Sequence, residues 1–341
     1  MLLLDIQYGR ALRSAATGLL LMLAAAPSPS ISAQPPSSPS LQAQLEALSQ
    51  QALPGTLAIA VLDLRNGERW GVNAERVMPM MSDFKAPVAA AILARIDAGS
   101  MAMGQTVTLT RQDIVAGSAI PSIGANFRGE RMTFTLAQLM HAAVSESDNT
   151  AVDVLIRVLG GPQALTAFLR EKGLPQMIVR DDERGMARLS AHLMGAEQPP
   201  AGETEKQQQQ RESAGYQDFL AAPPNTTTAN TSALFLKKLW QRELLSVTST
   251  HYLQDLMYAQ TVPSRLRGGL PAGARLADKT GTSGIDGKTA AWNDMGLISW
   301  PDGQAVIIAA YLSDTSATQA ERDGLFAELA RLVTRSVRPE K

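Results

Sequence analysis

The chain has 341 residues, no cysteine and a formal net charge of −1. The lack of cysteine excludes disulfides, thiolate nucleophiles and thiolate metal sites, and the near-zero charge argues against a surface built to bind nucleic acid or an anionic membrane. A hydrophobic fraction of 45% is ordinary for a globular protein, and the length fits one large domain or two intertwined ones.

Residues 1–33 have the pattern of a secretory signal peptide. Arg10 and Arg13 precede an apolar run that is too short to span a bilayer comfortably, and small residues follow it. The alternative, a buried N-terminal helix, is disfavoured because several prolines come next. The sequence therefore predicts cleavage after Ala26 or Ala33, export to the periplasm or medium, and no stable membrane anchor after cleavage.

The rest of the chain is predicted to have strands near both ends and helices between them. Asn66-Gly67, between two β-rich runs, indicates a hairpin. In chain order we predict a helix over 41–53, strands over 56–64 and 68–72, a helix over 82–98, a strand over 106–110, helices over 136–144, 148–159 and 162–173, helices over 232–244 and 250–258, strands over 275–283, 289–300 and 304–313, and a helix over 318–336.

Two strands near one end and three near the other most simply share one antiparallel sheet. The predicted class is α+β, with an α/β domain formed by residues 34–80 and 259–341 and an inserted all-α domain, residues 81–258. Helical periodicity fails over residues 174–228, which contain two Pro-Pro pairs and a glutamine run. This segment is too long for an ordinary connection, so it is predicted to be a functional active-site loop or partly disordered.

Ser82 and Lys85 stand three residues apart, at the start of an alanine-rich predicted helix, where this spacing puts both on one face. A serine hydroxyl is a weak nucleophile that needs a base, and a lysine can serve as one where burial or a nearby positive charge lowers its pKa. Taken alone, the pair is more simply a helix-capping serine and a solvated lysine.

Two further motifs change this interpretation. Ser147-Asp148-Asn149 lies in the break between two predicted helices, and Lys279-Thr280-Gly281-Thr282 lies on a predicted strand. Each alone could be a helix cap or an edge-strand lysine. Together with the Ser82 motif, in this order and on these elements, they form one constellation that is unlikely to be coincidental.

Ser-x-x-Lys on a helix, then Ser-Asp-Asn, then Lys-Thr-Gly, resembles the motif set of class A β-lactamases and related penicillin-binding proteins. The resemblance covers nearly the whole chain after the signal peptide, and the stretch VSESDNTAVDVLIRVLGG is most similar to the divergent branch that includes the PER-type enzymes. It implies the β-lactamase/D,D-peptidase-like fold, a five-stranded antiparallel sheet flanked by helices plus an inserted all-α domain, with the site in the cleft. It also implies a monomer that acts on a small β-lactam without metal or cofactor.

The resemblance assigns the acylation chemistry to four residues. It implies that Ser82 attacks the β-lactam carbonyl, that Lys85 helps to deprotonate Ser82, and that Ser147 relays a proton to the lactam nitrogen. The backbone N–H groups of Ser82 and Thr282 would form the oxyanion hole, where negative charge develops.

The remaining implied roles concern substrate binding. Lys279, with Thr280, Gly281 and Thr282, would hold the substrate carboxylate, and Asn149 would orient Lys85 and the substrate side chain. Arg265 matches a position at which some family members carry a carboxylate-binding arginine. Its alternative is an ordinary surface charge.

Hydrolysis of the acyl-enzyme requires an activated water, and the resemblance assigns that task to Glu183, in the pattern Glu-x-x-Met. Asp181 and Asp182 are rival carboxylates, and all three could instead be solvated loop acids. The chain departs from the family at Asp83, which is expected to put a negative charge beside the nucleophile, and at Ala187, where a water-holding Asn or His is usual. The long loop after Glu183 is the third departure.

The predicted function is therefore hydrolysis of β-lactams through an acyl-Ser82 intermediate and a Glu183-activated water. The alternative is a penicillin-binding protein, either D,D-peptidase-like or a stably acylated sensor. A third possibility is a non-catalytic binding module with the same fold.

Overall fold

The computed structural model describes residues 39–194, 202–263, 265–285 and 288–339, so the predicted signal peptide lies outside the described part. The helices are α1 Leu41–Gln50, α2 Lys85–Asp97, α3 Ser122–Asn126, α4 Leu136–Ser145, α5 Asn149–Leu159, α6 Pro162–Glu171, α7 Glu183–Met194, α8 Glu205–Ala221, α9 Ala229–Trp240, α10 Val247–Tyr258 and α11 Gln319–Val337. The strands are β1 Thr56–Asp63, β2 Arg69–Val72, β3 Met78–Pro79, β4 Thr106–Thr110, β5 Arg131–Thr135, β6 Ile178–Val179, β7 Asn225–Thr227, β8 Arg275–Ile285, β9 Lys288–Ser299 and β10 Ala305–Ser313.

The two ends of the described chain share one five-stranded antiparallel sheet with the order β2-β1-β10-β9-β8. The predicted fold class is confirmed, because strands from the start of the chain pair with strands from its end. β8, which carries the Lys-Thr-Gly motif, is an edge strand of this sheet. One side of β8 is therefore open to a bound molecule.

Helices cover both faces of the sheet. Ile59 and Ile308 point into an apolar cluster shared with Phe326 of α11, whereas their neighbours Ala60 and Ile307 point into the larger cluster formed with the central helices. Successive residues of a strand face opposite sides of the sheet. A sheet with helices on both faces therefore needs strands that are apolar throughout, not strands in which apolar and polar residues alternate. All residues of β10 are buried, as this arrangement requires.

The predicted helix over 82–98 begins later than the sequence suggests. Residues Met81–Phe84 form a 3₁₀ turn, and α2 begins at Lys85. Pro87 then lies in the first turn of α2, where a missing N–H costs nothing. A helix from Ser82 would instead lose the hydrogen bond from residue 87 to the carbonyl of Asp83.

The segment 174–228 is the largest difference from the sequence prediction. It contains β6, α7, α8 and β7, so in its described parts it is mostly helical rather than an extended loop. Thr204 and Gln207 form a capping box at the start of α8, a signal present in the sequence. The helical pattern was obscured because α8 is polar and buries only a few side chains.

The described residues from Pro39 onward pack as one compact unit. The two-domain division predicted at residues 80/81 and 258/259 stays a prediction.

Candidate active site

The turn that carries Ser82 is pressed against the edge of the sheet. Asn293 donates from Nδ2 to the carbonyls of Pro79 at 2.7 Å and Met80 at 3.2 Å. A Cβ on Gly281 would come within 2.4 Å of the Met80 carbonyl oxygen, so only glycine allows this approach. Ser82 makes no capping hydrogen bond, and the interpretation of this serine as a helix cap is therefore wrong.

Lys85 is fully buried and surrounded by oxygen acceptors. Its Nζ donates to Asn149 Oδ1 at 2.6 Å, to the Ser147 carbonyl at 2.8 Å and to Ser147 Oγ at 3.3 Å, and it lies 3.0 Å from Glu183 Oε1. The alternative of a solvated lysine is wrong. Within the described residues Ser82 Oγ has one hydrogen-bond partner, Glu183 Oε1 at 3.4 Å, so the nucleophile reaches Lys85 through the carboxylate.

The Ser-Asp-Asn motif is both a helix cap and part of the site. Asp148 caps α5 by accepting from the N–H of Ala151 at 2.8 Å, and its second oxygen accepts from the N–H of Ile123 at 3.0 Å. The fixed aspartate holds Ser147 in the left-handed region, with φ 58°, and directs the neighbouring Asn149 side chain to Lys85. The helix cap, Asp148, and the groups that contact Lys85, Ser147 and Asn149, thus belong to one three-residue motif.

Lys279 reaches the same serine from the sheet. Its Nζ donates to Ser147 Oγ at 3.0 Å and to the Thr280 carbonyl at 3.0 Å, and its side chain is fully buried. Burial and the nearby Lys85 lower the pKa of Lys279 to about 7. Two lysines therefore contact one hydroxyl, which suits a proton relay.

The other members of the β8 motif lie in register beside β9. Thr280 is opposite Asp294, Gly281 opposite Asn293 and Thr282 opposite Trp292. Thr280 Oγ1 also accepts from Gln260 Nε2 at 3.3 Å. This pairing fixes the strand whose Thr282 N–H is assigned to the oxyanion hole.

Arg265 is buried beside Thr282, so its interpretation as a surface charge is wrong. It is 4% exposed, donates from Nη2 to Thr282 Oγ1 at 2.5 Å and from Nη1 to the Asn293 carbonyl at 2.5 Å. Its guanidinium lies 4.0 Å from the centroid of the Trp292 ring. A carboxylate bound at Thr282 would thus have a positive charge directly behind it.

Glu183 is the first residue of α7 and is only 8% exposed. Asp153, from α5, accepts from the N–H of Glu183 at 2.7 Å and from the N–H of Arg184 at 3.0 Å. Burial, together with the nearby Asp182, raises the pKa of Asp153 to about 7. Asn225 Oδ1 accepts from the N–H of Arg180 at 2.9 Å and so holds the chain just before the turn.

The two rival carboxylates belong to Asp181 and Asp182, directly before Glu183. Asp182 Oδ1 accepts from the N–H of Gly185 at 2.7 Å, within its own turn. Among the described contacts, neither Asp181 nor Asp182 has a hydrogen bond or ion pair with Ser82 or Lys85. Ala187 is exposed on α7 and supplies no hydrogen-bonding side chain.

Asp83 lies in the turn that carries Ser82, and burial opposes the negative charge that the sequence predicts there. It is fully buried, and neither carboxyl oxygen has a hydrogen-bond partner among the described residues. Burial raises the pKa of Asp83 well above its usual value, against the opposing effect of Lys279 and with a further rise from Asp294. Burial thus favours the protonated form of the side chain, which is packed against Gly281.

The supporting residues Asp153, Asn225, Gln260 and Asn293 could not be found from the sequence. Each acts on a group far away along the chain, such as Asp153 on Glu183 or Asn293 on Met80. No local pattern identifies such pairs, because the contacts exist only once the elements pack.

The buried lysines, the two serine hydroxyls and the single carboxylate together form a site for acyl transfer through a serine. The sequence model of the beta-lactamase enzyme family matches residues 40–337. The chain is 31% identical over 298 residues to the extended-spectrum β-lactamase PER-1 of Pseudomonas aeruginosa, with 86% of each chain covered. It is 27% identical to the β-lactamase VEB-1 of the same organism, over 81% of this chain and 83% of the relative.

Solved structures give the same result. A β-lactamase from Chitinophaga pinensis DSM 2588 matches with a TM-score of 0.72 at 28% identity, over 86% of this chain and 97% of that one. An ancestral class A β-lactamase (GNCA) matches with a TM-score of 0.69 at 33% identity, over 87% of this chain and 100% of that one. The chain belongs to the β-lactamase enzyme family. The class A resemblance and the assignment as a serine hydrolase acting on β-lactams are thereby confirmed.

The raised pKa of Asp83 gives a pH-dependent prediction. Because the folded-state pKa is raised, the folded protein retains a proton that the unfolded chain loses above about pH 4. The free energy of unfolding must then fall as pH rises from that value towards the folded-state pKa. Asp83→Asn removes this fall. Its free energy of unfolding relative to that of wild type should therefore rise by about 1.4 kcal/mol for each pH unit in this range.

Urea unfolding of both proteins at about pH 5 and about pH 8 measures the difference. Asp218→Asn, at an exposed position on α8, is the matched control and should show no such trend. A stability difference between Asp83→Asn and wild type that does not change with pH would mean that Asp83 is ionised in the folded protein.

Proposed function

We propose that the protein hydrolyses β-lactams through an acyl-Ser82 intermediate. The observation that carries the proposal is the position of Glu183, whose Oε1 lies 3.4 Å from Ser82 Oγ and 3.0 Å from Lys85 Nζ. A carboxylate beside the nucleophile can accept the serine proton and can later activate water. This second role separates a hydrolase from a protein that is only acylated.

In acylation, Ser82 Oγ forms a bond to the lactam carbonyl carbon, and the lactam C–N bond breaks. The Ser82 proton passes to the Lys85–Glu183 pair. The backbone N–H groups of Ser82 and Thr282 stabilise the negative oxygen of the tetrahedral intermediate.

The leaving lactam nitrogen must gain a proton. Ser147 is suited to supply it, because its Oγ lies 3.3 Å from Lys85 Nζ and 3.0 Å from Lys279 Nζ. Either lysine can replace the proton that Ser147 gives away. The proton taken from Ser82 can thus reach the nitrogen through Glu183, Lys85 and Ser147.

Substrate binding is assigned to the β8 edge. The carboxylate common to β-lactams would lie between Lys279, Thr280 and Thr282, with Arg265 behind Thr282. Gly281 keeps this strand close to the Ser82 turn, and Asn149 orients Lys85 and faces the substrate side chain. In deacylation, Glu183 takes a proton from water, the hydroxide attacks the ester carbonyl, and Ser82 recovers its proton as the product leaves.

We also propose that the protein is exported after cleavage of the signal peptide, after Ala26 or Ala33, and acts as a monomer. Support for export comes from the basic and apolar pattern at residues 10–26. Mass spectrometry of the mature N-terminus and light scattering of the purified protein measure the two properties.

The function is tested with the purified mature protein, a chromogenic cephalosporin and a fluorescent penicillin. We expect multiple turnover of the cephalosporin. A lasting fluorescent label without turnover would instead support the stably acylated alternative, and neither signal would leave only a binding module. Ser82→Ala is the control that should abolish both signals.

Glu183→Gln tests the assignment of the deacylation base. The glutamine cannot accept a proton from water, so deacylation should slow by about 10²–10⁴-fold and the acyl-enzyme should accumulate. Mass spectrometry after brief exposure to substrate detects the adduct on Ser82. Asp181→Asn and Asp182→Asn are the matched controls and should turn over without accumulation; normal turnover by Glu183→Gln would show that another base acts.

A further prediction concerns the pH dependence of kcat/KM that Lys279 imposes. With a pKa of about 7, its positive charge is present below that pH and is lost above it in the free enzyme. Since kcat/KM reports the free enzyme, it should fall by about tenfold per pH unit well above the pKa. Lys279→Arg should move this alkaline limb to higher pH, because arginine keeps its proton.

Rate measurements between about pH 5 and about pH 10 test this, with the exposed Lys206→Arg as control. The test is the pH at which kcat/KM begins to fall, so a lower absolute rate of Lys279→Arg does not affect it. If the fall in kcat/KM occurs at the same pH in Lys279→Arg as in wild type, the titrating group is not Lys279.

A further inference from the structure

α8 is a polar helix held against the sheet by two aromatic side chains. Tyr216 is 1% exposed and Phe219 is 2% exposed, and with Ala290 of β9 they form a small apolar cluster apart from the two main ones. The only other buried residue of α8 is Gly215. Docking of this helix therefore depends on the two aromatic rings.

The cluster adjoins the segments that carry the two assigned oxyanion-hole donors. Met81, directly before Ser82, packs against it. Its third member, Ala290, lies on β9 two residues before Trp292, and Trp292 is the β9 partner of Thr282. The aromatic pair thus contacts the residue before one donor and the strand that pairs with the other.

Met81 has a conformation that needs such support. Its φ is 48°, in the left-handed region, which is unfavourable for a residue with a side chain. Such a conformation persists only where surrounding structure fixes it. On one side the Met81 Cβ lies 3.1 Å from the position that a Cβ on Gly281 would take, and on the other its side chain meets the α8 cluster.

The direction of the Ser82 N–H depends on this packing around Met81. The peptide plane between Met81 and Ser82 contains that N–H, so rotation about the Met81 backbone would swing the donor away from the developing oxyanion. Asn293 fixes the carbonyls of Pro79 and Met80, on the other side of Met81. The α8 cluster packs against the side chain of Met81 itself.

Tyr216 is additionally tied to the end of the sheet. The Lys288 ammonium lies 5.4 Å from its ring centroid, a cation–π contact. Burial and the nearby Asp314 raise the pKa of its hydroxyl, so the ring docks in its neutral form. α8 is thus joined to β9 and to the residue following β10.

We propose that Tyr216 and Phe219 are positioning residues for the oxyanion hole, acting through Met81 and Ala290 to hold the Ser82 and Thr282 donors at a fixed separation. The inference rests on the proposed acyl-Ser82 function. It gives the long segment after Glu183 a role in the chemical step. Groups that bind the substrate carboxylate, such as Lys279, lie outside the cluster, so initial binding should not depend on it.

The test compares Phe219→Ala and Tyr216→Ala with wild type by stopped-flow acylation with a chromogenic cephalosporin. This experiment separates the dissociation constant of the first complex from the acylation rate constant. We expect the rate constant to fall about tenfold in each variant, since removal of a whole oxyanion donor costs about 10²–10³-fold, and the dissociation constant to change by less than about twofold. Phe219→Leu, which keeps apolar contact, should recover most of the rate.

Two further measurements exclude a merely structural role. The affinity of a boronic acid that forms a tetrahedral adduct on Ser82 should fall by a factor similar to the rate constant. In a Met81→Ala background, Phe219→Ala should change the acylation rate by less than about twofold, because the contact through which it acts is gone. Gln209→Ala, exposed on the same helix, is the matched control and should acylate as wild type does.

Circular dichroism establishes that each variant is folded, and Tyr216→Ala carries the test if Phe219→Ala does not fold. Wild-type acylation rate constants in both alanine variants would overturn the inference. So would weaker initial binding with an unchanged rate constant, which would make α8 part of the substrate cleft. If wild type itself is not acylated, the proposed function fails; fast acylation of wild type and variants alike overturns only the role of α8.

Discussion

The buried ammonium of Lys85 is the constraint on which the site depends. A fully buried positive charge is costly unless charge and hydrogen bonds compensate it. Its acceptors come from two places along the chain: the Ser147–Asn149 segment at the start of α5, and Glu183 at the start of α7. Satisfying one side chain therefore brings together the turn that carries Ser82, the break between two helices and the carboxylate assigned to deacylation.

Each of those groups is fixed in turn by a residue with no part in the chemistry. Asp148 caps α5 and so directs Ser147 and Asn149, while Asp153 caps the first turn of α7 and so directs Glu183. The positions of the reacting atoms are thus set by backbone hydrogen bonds at helix starts. Helix N-termini suit this purpose because their free N–H groups need acceptors in any case.

The motifs in the sequence identified most of the chemical groups, but not their environments. Ser82 was expected at the start of a helix and lies in a 3₁₀ turn, since Pro87 delays α2. Asp83 was expected to be charged, yet burial raises the pKa of its carboxyl well above the usual value. Arg265 could not be distinguished from a surface charge until its contact with Thr282 was known. Burial, which decides all of these, is a property of the packed chain.

The sequence by itself determined the class of the sheet, because two predicted strands lie near one end of the chain and three near the other, and it determined the identity of the motifs through their order and spacing. It also contained the capping box of α8, although the polar composition concealed the helix. Only the tertiary structure decided which carboxylate meets Ser82, that Asp153 holds it, and that Tyr216 and Phe219 reach the residue before the nucleophile. These contacts join residues far apart in the chain, and no local periodicity encodes a pairing that forms only when separate elements are packed together.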